Sequence, residues 1–246
     1  MDRSIISQRV RAFALAAVVA LLVASGALPA EAGPPVPTRL NVELGSAAGI
    51  APDGQSVSIS LLARCPERWS VLQALITVSQ PQASGQASFP LTCTDLFQAF
   101  TVTVPSSGAP FQLGEAQATA FVLIQRGRTE QAQDSQVVRV EPTVLVDLAG
   151  TALLESAGQA VLLDVTIACP VGATGQQSCV NVSQGQAMGN GLYVPTCDGQ
   201  RHTFTVRVQT SQALFQPGSA QGLTFAFVAV GGDSFSGVDE QQIQIS

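Results

Sequence analysis

The sequence of 246 residues contains no lysine, one histidine, one tryptophan and one tyrosine. Charged residues make up 11% of the chain and aromatic residues 5%, whereas 46% of the residues are hydrophobic. A disordered chain combines low hydrophobicity with high net charge, and a coiled coil takes about half of its residues from Ala, Glu, Lys, Leu and Arg. Collagen needs glycine at every third position, which the 22 glycines do not supply. These absences leave a globular chain.

The charge balance and the single histidine exclude further functions. The formal net charge is −6, and binding to nucleic acid depends on Lys and Arg contacts to phosphate, so we expect no nucleic-acid partner. A Ser-His-Asp triad would need His202, but the sequence has no Gly-x-Ser-x-Gly motif, and its nearest segment, 232–237, has the wrong spacing. We therefore expect no catalytic residue and no enzyme activity, with His202 at the surface.

Metal ligands leave only a weak pattern in this sequence. One histidine and scattered cysteines do not match a zinc site of known spacing, so we expect no metal and no cofactor. Calcium remains open as an alternative, because oxygen ligands leave little trace in a sequence. Its candidate ligands are the loop carboxylates of Asp53, Asp233 and Asp239.

The first 32 residues have the three parts of a secretory signal peptide. Three arginines precede an apolar run at 12–23, and Ala30-Glu31-Ala32 provides a small-x-small cleavage pattern. The apolar run is shorter than the roughly 20 residues that span a bilayer. We therefore predict an extracellular or periplasmic protein without membrane insertion. Residues 33–37, which contain three prolines, are interpreted as an extended leader arm.

An internal duplication with a period of 104 residues organises the rest of the chain. The matched segments include Cys65-Pro66 with Cys169-Pro170, Val78-Ser79-Gln80 with Val182-Ser183-Gln184, Thr92-Cys93 with Thr196-Cys197, and Phe111-Gln112 with Phe215-Gln216. Only the last strand needs a one-residue slip. The duplication predicts two domains, 38–141 and 142–246, joined without a Gly/Ser linker, and such a joint restricts their relative motion.

Apolar and polar residues alternate in both repeats, which is the period of half-buried strands. The pattern predicts seven strands in the first repeat, each recurring in the second, near 38–44, 55–64, 71–79, 86–91, 98–104, 115–125 and 135–141. Seven short strands in roughly 100 residues favour an immunoglobulin-like Greek-key β-sandwich. The predicted fold is all-β, with two tandem sandwiches. The sixth strand is apolar on both faces, which indicates a central strand or a covered face at a contact.

The cysteines predict two disulfides. The repeat aligns Cys65 and Cys93 with Cys169 and Cys197, and a Greek-key sandwich places the end of its second strand beside the start of its fifth. We therefore predict the pairs Cys65–Cys93 and Cys169–Cys197. Each pair closes a loop of about 29 residues, for which loop entropy suggests roughly 3.5 kcal/mol of stabilisation. The alternative is that Cys169 pairs with Cys179 across a hairpin.

Cys179 is left as a free thiol. It takes the position of Leu75 in the first repeat and shares one strand face with Asn181 and Ser183, so we expect it to be partly accessible. Its functional interpretation is an intermolecular disulfide that joins two chains, because an odd cysteine in an exported protein suggests such a link. The alternative is a small apolar side chain that fills space.

Two segments of the second repeat, 197–206 and 215–220, resemble a repeat of secreted actinobacterial proteins of unknown function. In that family a Thr-Cys-Asp-Gly turn leads into a Thr-rich strand, and a Phe-x-Pro-Gly-x-Ala segment opens the next strand. The first repeat departs from the pattern at Thr94-Asp95 and Leu113. The resemblance implies tandem immunoglobulin-like repeats and adds no activity.

These observations favour an exported binding, adhesion or matrix module that recognises a protein or carbohydrate surface. Trp69 is its candidate recognition residue, because Ala173 in the second repeat shows that the fold does not require a tryptophan there. The alternative is a soluble carrier that holds a small ligand in a cleft between loops or domains. A large apolar pocket near Trp69, Phe97 or Tyr193 would favour the carrier, whereas an exposed apolar sheet face or strand edge would favour the binding module.

Overall fold

The computed structural model describes residues 40–246, which contain fifteen β-strands and one 3-10 turn, Ser156–Gly158. The predicted signal peptide and leader arm lie outside the described residues. The strands of the first repeat are β1 (Asn41–Ile50), β2 (Ser56–Arg64), β3 (Ser70–Ser79), β4 (Ser84–Ser88), β5 (Gln98–Pro105), β6 (Gly114–Arg126) and β7 (Arg128–Pro142). Those of the second repeat are β8 (Leu145–Glu155), β9 (Ala160–Ala168), β10 (Thr174–Gly175), β11 (Ser178–Gln184), β12 (Ala187–Tyr193), β13 (Arg201–Thr210), β14 (Gly218–Val230) and β15 (Asp233–Ile245). The all-β prediction is confirmed.

Each repeat forms its own sheet. The first sheet has the strand order β4-β3-β6-β7-β1-β2-β5, and the second has the order β10-β14-β11-β12-β13-β9-β8-β15 with a further pairing of β14 and β15. The second sheet therefore closes into a ring of seven strands, with the short β10 at its side. In the first repeat an isolated bridge between Gly85 and Ser106 closes the equivalent seam between β4 and β5.

Glycine permits the close approach of the strands at this seam. A Cβ atom on Gly85 would lie 2.1 Å from the carbonyl oxygen of Pro105, and one on Gly189, its counterpart, would lie 2.7 Å from that of Gln209. No other residue fits so near a neighbouring backbone without a shift. The repeated glycine is therefore a requirement of ring closure.

The alternating residues form two separate hydrophobic cores, one in each repeat. Val57, Ile59 and Leu61 of β2 are buried in the first core, and Val161, Leu163 and Val165 of β9 are buried in the second. The core clusters share no residue, although both repeats lie in one compact unit. Within residues 40–246, no helix has the length and apolar character needed to cross a membrane.

Two strands of the first repeat are longer than the sequence pattern predicts. The first strand was expected to end near residue 44, but β1 continues to Ile50 through a register shift between Leu44 and Ala48. Its last four residues also pair in parallel with β7. The seventh strand begins at Arg128 rather than near 135, because Gly127 makes a tight turn (φ 71°) directly after β6. Its mostly polar first half has little of the apolar signal on which the prediction depended.

The two repeats are connected by Thr143 and Val144 alone. The backbone N–H of Thr143 donates a hydrogen bond to the carbonyl of Ile50 over 3.2 Å, which ties the connection to the first repeat. Arg139 of β7 forms an ion pair with Asp233 of β15. The pKa of Arg139 is raised, chiefly by its hydrogen bond to Asp233.

Candidate functional site

Both repeats use the same covalent link. Disulfides join Cys65 to Cys93 and Cys169 to Cys197, with Cα–Cα distances of 4.7 and 4.8 Å, and Cys179 is free. These are the pairs that the sequence predicts. In each repeat the first cysteine is fully buried and directly follows the second strand, which pairs with the fifth strand. The disulfides therefore belong to the fold rather than to a reactive site.

Hydrogen bonds shared by the repeats explain other repeated residues. Gln80 accepts a hydrogen bond from the N–H of Gln112 over 2.8 Å and donates to its carbonyl over 2.9 Å, and Gln184 makes the same bonds to Gln216 at the same distances. The glutamine side chain thus fixes the loop before the sixth strand. Gly54 and Gly158, at positive φ angles of 72° and 94°, each accept a hydrogen bond over 2.9 Å from the N–H of Phe111 and Phe215 respectively. The repeated residues are scaffold, so residues that distinguish the repeats are better functional candidates.

The three carboxylates proposed as calcium ligands each have a different hydrogen-bond or ion-pair partner. Asp53 accepts a hydrogen bond from the N–H of Gln55 in its own turn, and Asp233 pairs with Arg139. Asp239 accepts a hydrogen bond over 2.8 Å from the N–H of Leu148, at the register shift of β8. Among the described residues no group of three or more His, Cys, Asp or Glu side chains could hold a metal ion. The structure therefore does not bring these carboxylates together as a cluster.

His202 contacts a carboxylate beside the second disulfide. Its Nε2 atom lies 2.8 Å from Oδ1 of Asp198, which also accepts a hydrogen bond from the N–H of Gln200 over 2.9 Å. The hydrogen bond to His202 is the largest cause of the lowered pKa of Asp198, and the backbone N–H of Gln200 is the next. In the first repeat, Gln98 occupies the position of His202 and contacts Thr94, the counterpart of Asp198. This comparison assigns His202 a structural role in the turn.

Trp69 and Phe97 lie in different surroundings. Trp69 is half-buried and packs against the core of the first repeat. Phe97 is 50% exposed and lies beneath the guanidinium of Arg64, 5.5 Å from the ring centroid. Arg64 also pairs with Asp95 over 3.1 Å. This cluster supports the loop that carries Cys93.

Tyr193 belongs to the second core rather than to a ligand pocket. Its ring is 8% exposed, and its hydroxyl lies 3.0 Å from the hydroxyl of Thr224 and donates to the carbonyl of Phe225. Burial is the largest cause of the raised pKa of Tyr193. Four surface cavities in the described chain have volumes between about 160 and about 380 Å³, and none of these four is lined by Trp69, Phe97 or Tyr193.

Cys179 lies in the middle of an exposed apolar area on the second sheet. Its neighbours across the sheet are Phe225 on β14 and Leu192 on β12, and Phe225 in turn pairs with Val238 on β15. Val238 is 61% exposed and Leu192 is 57% exposed, while Cys179 and Phe225 are half-buried. The four side chains form a row that points away from the core.

Further apolar side chains extend this row on both sides. Phe227 stacks on Phe225 with ring centroids 6.2 Å apart, Leu223 lies two residues before Phe225, and Val194 is 57% exposed. We name this surface the outer face of the second repeat; it consists of Cys179, Leu192, Val194, Leu223, Phe225, Phe227 and Val238. The row through Leu223 continues through Asn181 and Asn190, whose side chains are hydrogen-bonded to each other over 3.0 Å. The one acidic side chain at the edge of this face is that of Glu240, which pairs with Leu223 across the strands.

The first repeat lacks an apolar surface of this extent. The row that corresponds to the one through Cys179 contains Phe121 and Leu75 in its centre, but Gln133 and Ser88 at its ends. At the flanking positions, smaller or more polar residues of the first repeat correspond to apolar residues of the second. These pairs are Thr119 with Leu223, Leu123 with Phe227, and Pro90 with Val194. The fold therefore forms without an extended apolar outer face.

Sequence reasoning identified part of this surface. It found that the sixth strand, which includes Phe225 and Phe227, is apolar on both sides, and it expected partial access to Cys179. It missed Val238, which is an isolated apolar residue in a mostly polar segment, and Leu192, whose outward position is not marked by alternation with polar residues. A comparison of the outward positions of the two repeats would have found both.

No protein-family model and no curated protein sequence matches the chain. Solved structures with a distant similarity include a conserved domain protein from Bacillus anthracis, with 11% identity and a TM-score of 0.27 over 83% of this chain and 87% of that one. Another contains the fibronectin(III)-like modules of CbhA from Clostridium thermocellum, with 13% identity and a TM-score of 0.26 over 84% of this chain and 94% of that one. Similarities this low carry no argument about function.

Proposed function

We propose that the chain is an exported, non-catalytic binding module with adhesion or matrix functions, and that it binds through the outer face of the second repeat. The exposed apolar row Val238, Phe225, Cys179 and Leu192 carries this proposal. The largest contiguous apolar patch on a typical soluble monomer covers about 300–600 Å² and is often functional. An apolar surface of this kind favours a protein partner over a carbohydrate.

The strand pairings support a tandem of two immunoglobulin-like Greek-key sandwiches as the framework of this module. In each repeat the second strand pairs with the fifth and the third with the sixth, so the central pairs join strands that are not consecutive. Separate cores and separate disulfides support two domains, 38–141 and 142–246. The disulfides also fit an extracellular or periplasmic location, because such bonds persist in oxidising compartments.

The carrier alternative has less support. A ligand pocket is a mostly apolar cleft of about 300–1,000 Å³ that buries most of its ligand. The three aromatic residues expected to line such a pocket have other surroundings. Trp69 is half-buried against the core, Phe97 is exposed beneath Arg64, and Tyr193 is buried with its hydroxyl hydrogen-bonded. The outer face of the second repeat therefore favours the binding module.

A capture experiment tests the proposed function. Residues 33–246 are immobilised and exposed to native culture supernatant or solubilised envelope, beside a variant that carries Leu192→Ser and Val238→Gln, the residues of the first repeat. Leu153→Gln is the matched control, because Leu153 is 62% exposed but lies on β8, away from this face. We expect a partner that the wild type and the control retain and the face variant loses. Equal capture by all three would contradict the proposal.

A further inference from the structure

We propose that the partner of the outer face of the second repeat is a second molecule of this chain, so that the protein forms a weak symmetric dimer. This inference rests on the proposed function of the same face and names its partner. The first repeat shows that the fold does not need apolar residues at these positions, since Gln133 and Ser88 occupy the places of Val238 and Leu192. The apolar side chains of the second repeat therefore call for an explanation outside the fold.

The face is complementary to itself. In a symmetric dimer the same patch contacts itself across a two-fold axis. If that axis runs along the row through Cys179, each residue of the row faces its own counterpart, and all four are uncharged. Residues on one side of the row then face those on the other side, so Phe227 meets Leu223 of the second molecule. The side of Leu223 also carries Asn181 and Asn190, whose amides are uncharged and bonded to each other.

The only carboxylate at the edge of this face has a suitable partner in the same arrangement. On β15, Ser236 and Glu240 lie on opposite sides of Val238, so the axis places Glu240 opposite Ser236 of the second molecule. A serine hydroxyl donates a hydrogen bond to a carboxylate, and two carboxylates do not face each other. Because the whole chain has a net charge of −6, an uncharged face is also where two molecules can approach with the least repulsion.

The size of the face sets the strength of the dimer. Four strands spaced about 4.8 Å apart and three rows of side chains give a footprint of about 400 Å² per molecule. Stable interfaces bury about 800 Å² per partner, and smaller ones belong to weak or transient complexes. We therefore expect a dissociation constant between micromolar and millimolar.

The position of Cys179 distinguishes this dimer from a disulfide-linked one. Sheets that pack face to face lie about 10 Å apart, whereas the Cα atoms of a disulfide are usually about 4.4–6.8 Å apart. The two Cys179 thiols would thus be neighbours across the axis without a direct bond, and apolar contact would hold the dimer. A short bis-maleimide bridges such a gap, because each thiol adds across one maleimide double bond and its proton moves to the adjacent carbon.

Sedimentation equilibrium of residues 33–246 tests the dimer. We expect the average mass of the wild type to rise between micromolar and about 1 mM protein, and the Leu192→Ser, Val238→Gln variant to have a dissociation constant at least about tenfold higher. Leu153→Gln should behave as the wild type. The single variants Leu192→Ser and Val238→Gln change exposed side chains and replace the double variant if its circular dichroism shows a folding defect. A wild type that stays monomeric, or a folded face variant that associates equally well, would overturn the dimer.

Crosslinking provides an independent measurement. A bis-maleimide with a spacer of about 10 Å should join wild-type chains, fail with Cys179→Ser, and join far fewer chains of the face variant. Equal crosslinking of wild type and face variant would contradict the interface. The capture experiment separates the two proposals: if the wild type is monomeric but the face variant loses a different partner, the dimer fails and the binding module stands. If the face substitutions also change no capture, both fail.

Discussion

At the residue scale, the turn beside each disulfide shows how one position supports the same loop with different chemistry. Gln98 of the first repeat binds the backbone of Thr92 and the hydroxyl of Thr94, whereas His202 of the second repeat binds the carboxylate of Asp198. A carboxylate that gains a hydrogen-bond donor keeps its ionised form to lower pH. The only histidine of the chain is therefore part of this turn.

We predict that His202→Ala raises the pKa of Asp198 toward its ordinary value of 3.8, because the largest cause of its lowering is removed. His202→Gln should give an intermediate pKa, since glutamine still donates a hydrogen bond. The lowered folded-state pKa stabilises the protein above pH 3.8, and this contribution is lost as the pH falls through the folded-state pKa. Carboxyl NMR titration of the three proteins measures the effect. An Asp198 pKa that is the same in all three would contradict it.

At the scale of elements, the register shift in the first strand of each repeat is held by a carboxylate from the last strand. Asp134 of β7 accepts a hydrogen bond from the N–H of Leu44 over 2.7 Å, and Asp239 of β15 accepts one from Leu148 over 2.8 Å. These aspartates are 105 residues apart, which is the same one-residue slip that the sequence comparison found in the last strand. The slip thus preserves the contact between the two strands.

We predict that Asp239→Ala lowers the free energy of unfolding by about 1–3 kcal/mol, because it leaves the partly buried N–H of Leu148 without an acceptor. Asp239→Asn should cost less, since its amide oxygen still accepts a hydrogen bond. Urea denaturation monitored by circular dichroism provides the measurement, with Asp164→Ala on the exposed face of β9 as the control. If the two alanine variants had equal stability, the proposed role of Asp239 would be wrong.

An element can be predicted from the sequence when the residues that determine it are close together in the chain. Alternation in segments such as 55–64 predicted β2 within a residue, and the repeated cysteines predicted both disulfides. The continuation of β1 beyond Leu44 could not be predicted, because it depends on pairing with β7, which is distant in sequence. For the same reason the outer face of the second repeat was only partly visible in the sequence: Leu192 lies beside Cys179, and Val238 joins the same row through Phe225, only because four strands pair.

At the scale of the whole molecule, the repeats are joined by two residues but stabilised by separate cores. Contacts between them include the Arg139–Asp233 ion pair, and Gly199 lies close enough to Pro52 that a Cβ atom would be 3.1 Å from its carbonyl oxygen. Exposed ion pairs contribute little to stability because water and salt screen them. Most of the stability of each repeat is therefore expected to reside in its own core.

We predict that fragments 33–141 and 142–246 each fold when expressed alone. Each contains nearly all strand residues of one repeat, its hydrophobic core and one disulfide. Thermal unfolding by calorimetry should show one cooperative transition for each fragment, and NMR spectra should be well dispersed. Fragments that give broad spectra and no cooperative transition, beside a tandem that melts sharply, would contradict the independence of the repeats.

The closed strand ring of the second repeat bears on aggregation through strand edges. A strand with an unpaired edge invites other chains to add to it, and many proteins prevent this by placing lysine there. This chain has no lysine to use in that way. In the second repeat each of the seven long strands instead has a hydrogen-bonded neighbour on both sides, although β12 with β13 and β15 with β8 pair over two residues each. Ring closure thereby limits the strand edges to which another chain could add, as charged side chains do in other proteins. Contacts with other molecules are then made mainly by side chains on the sheet surface.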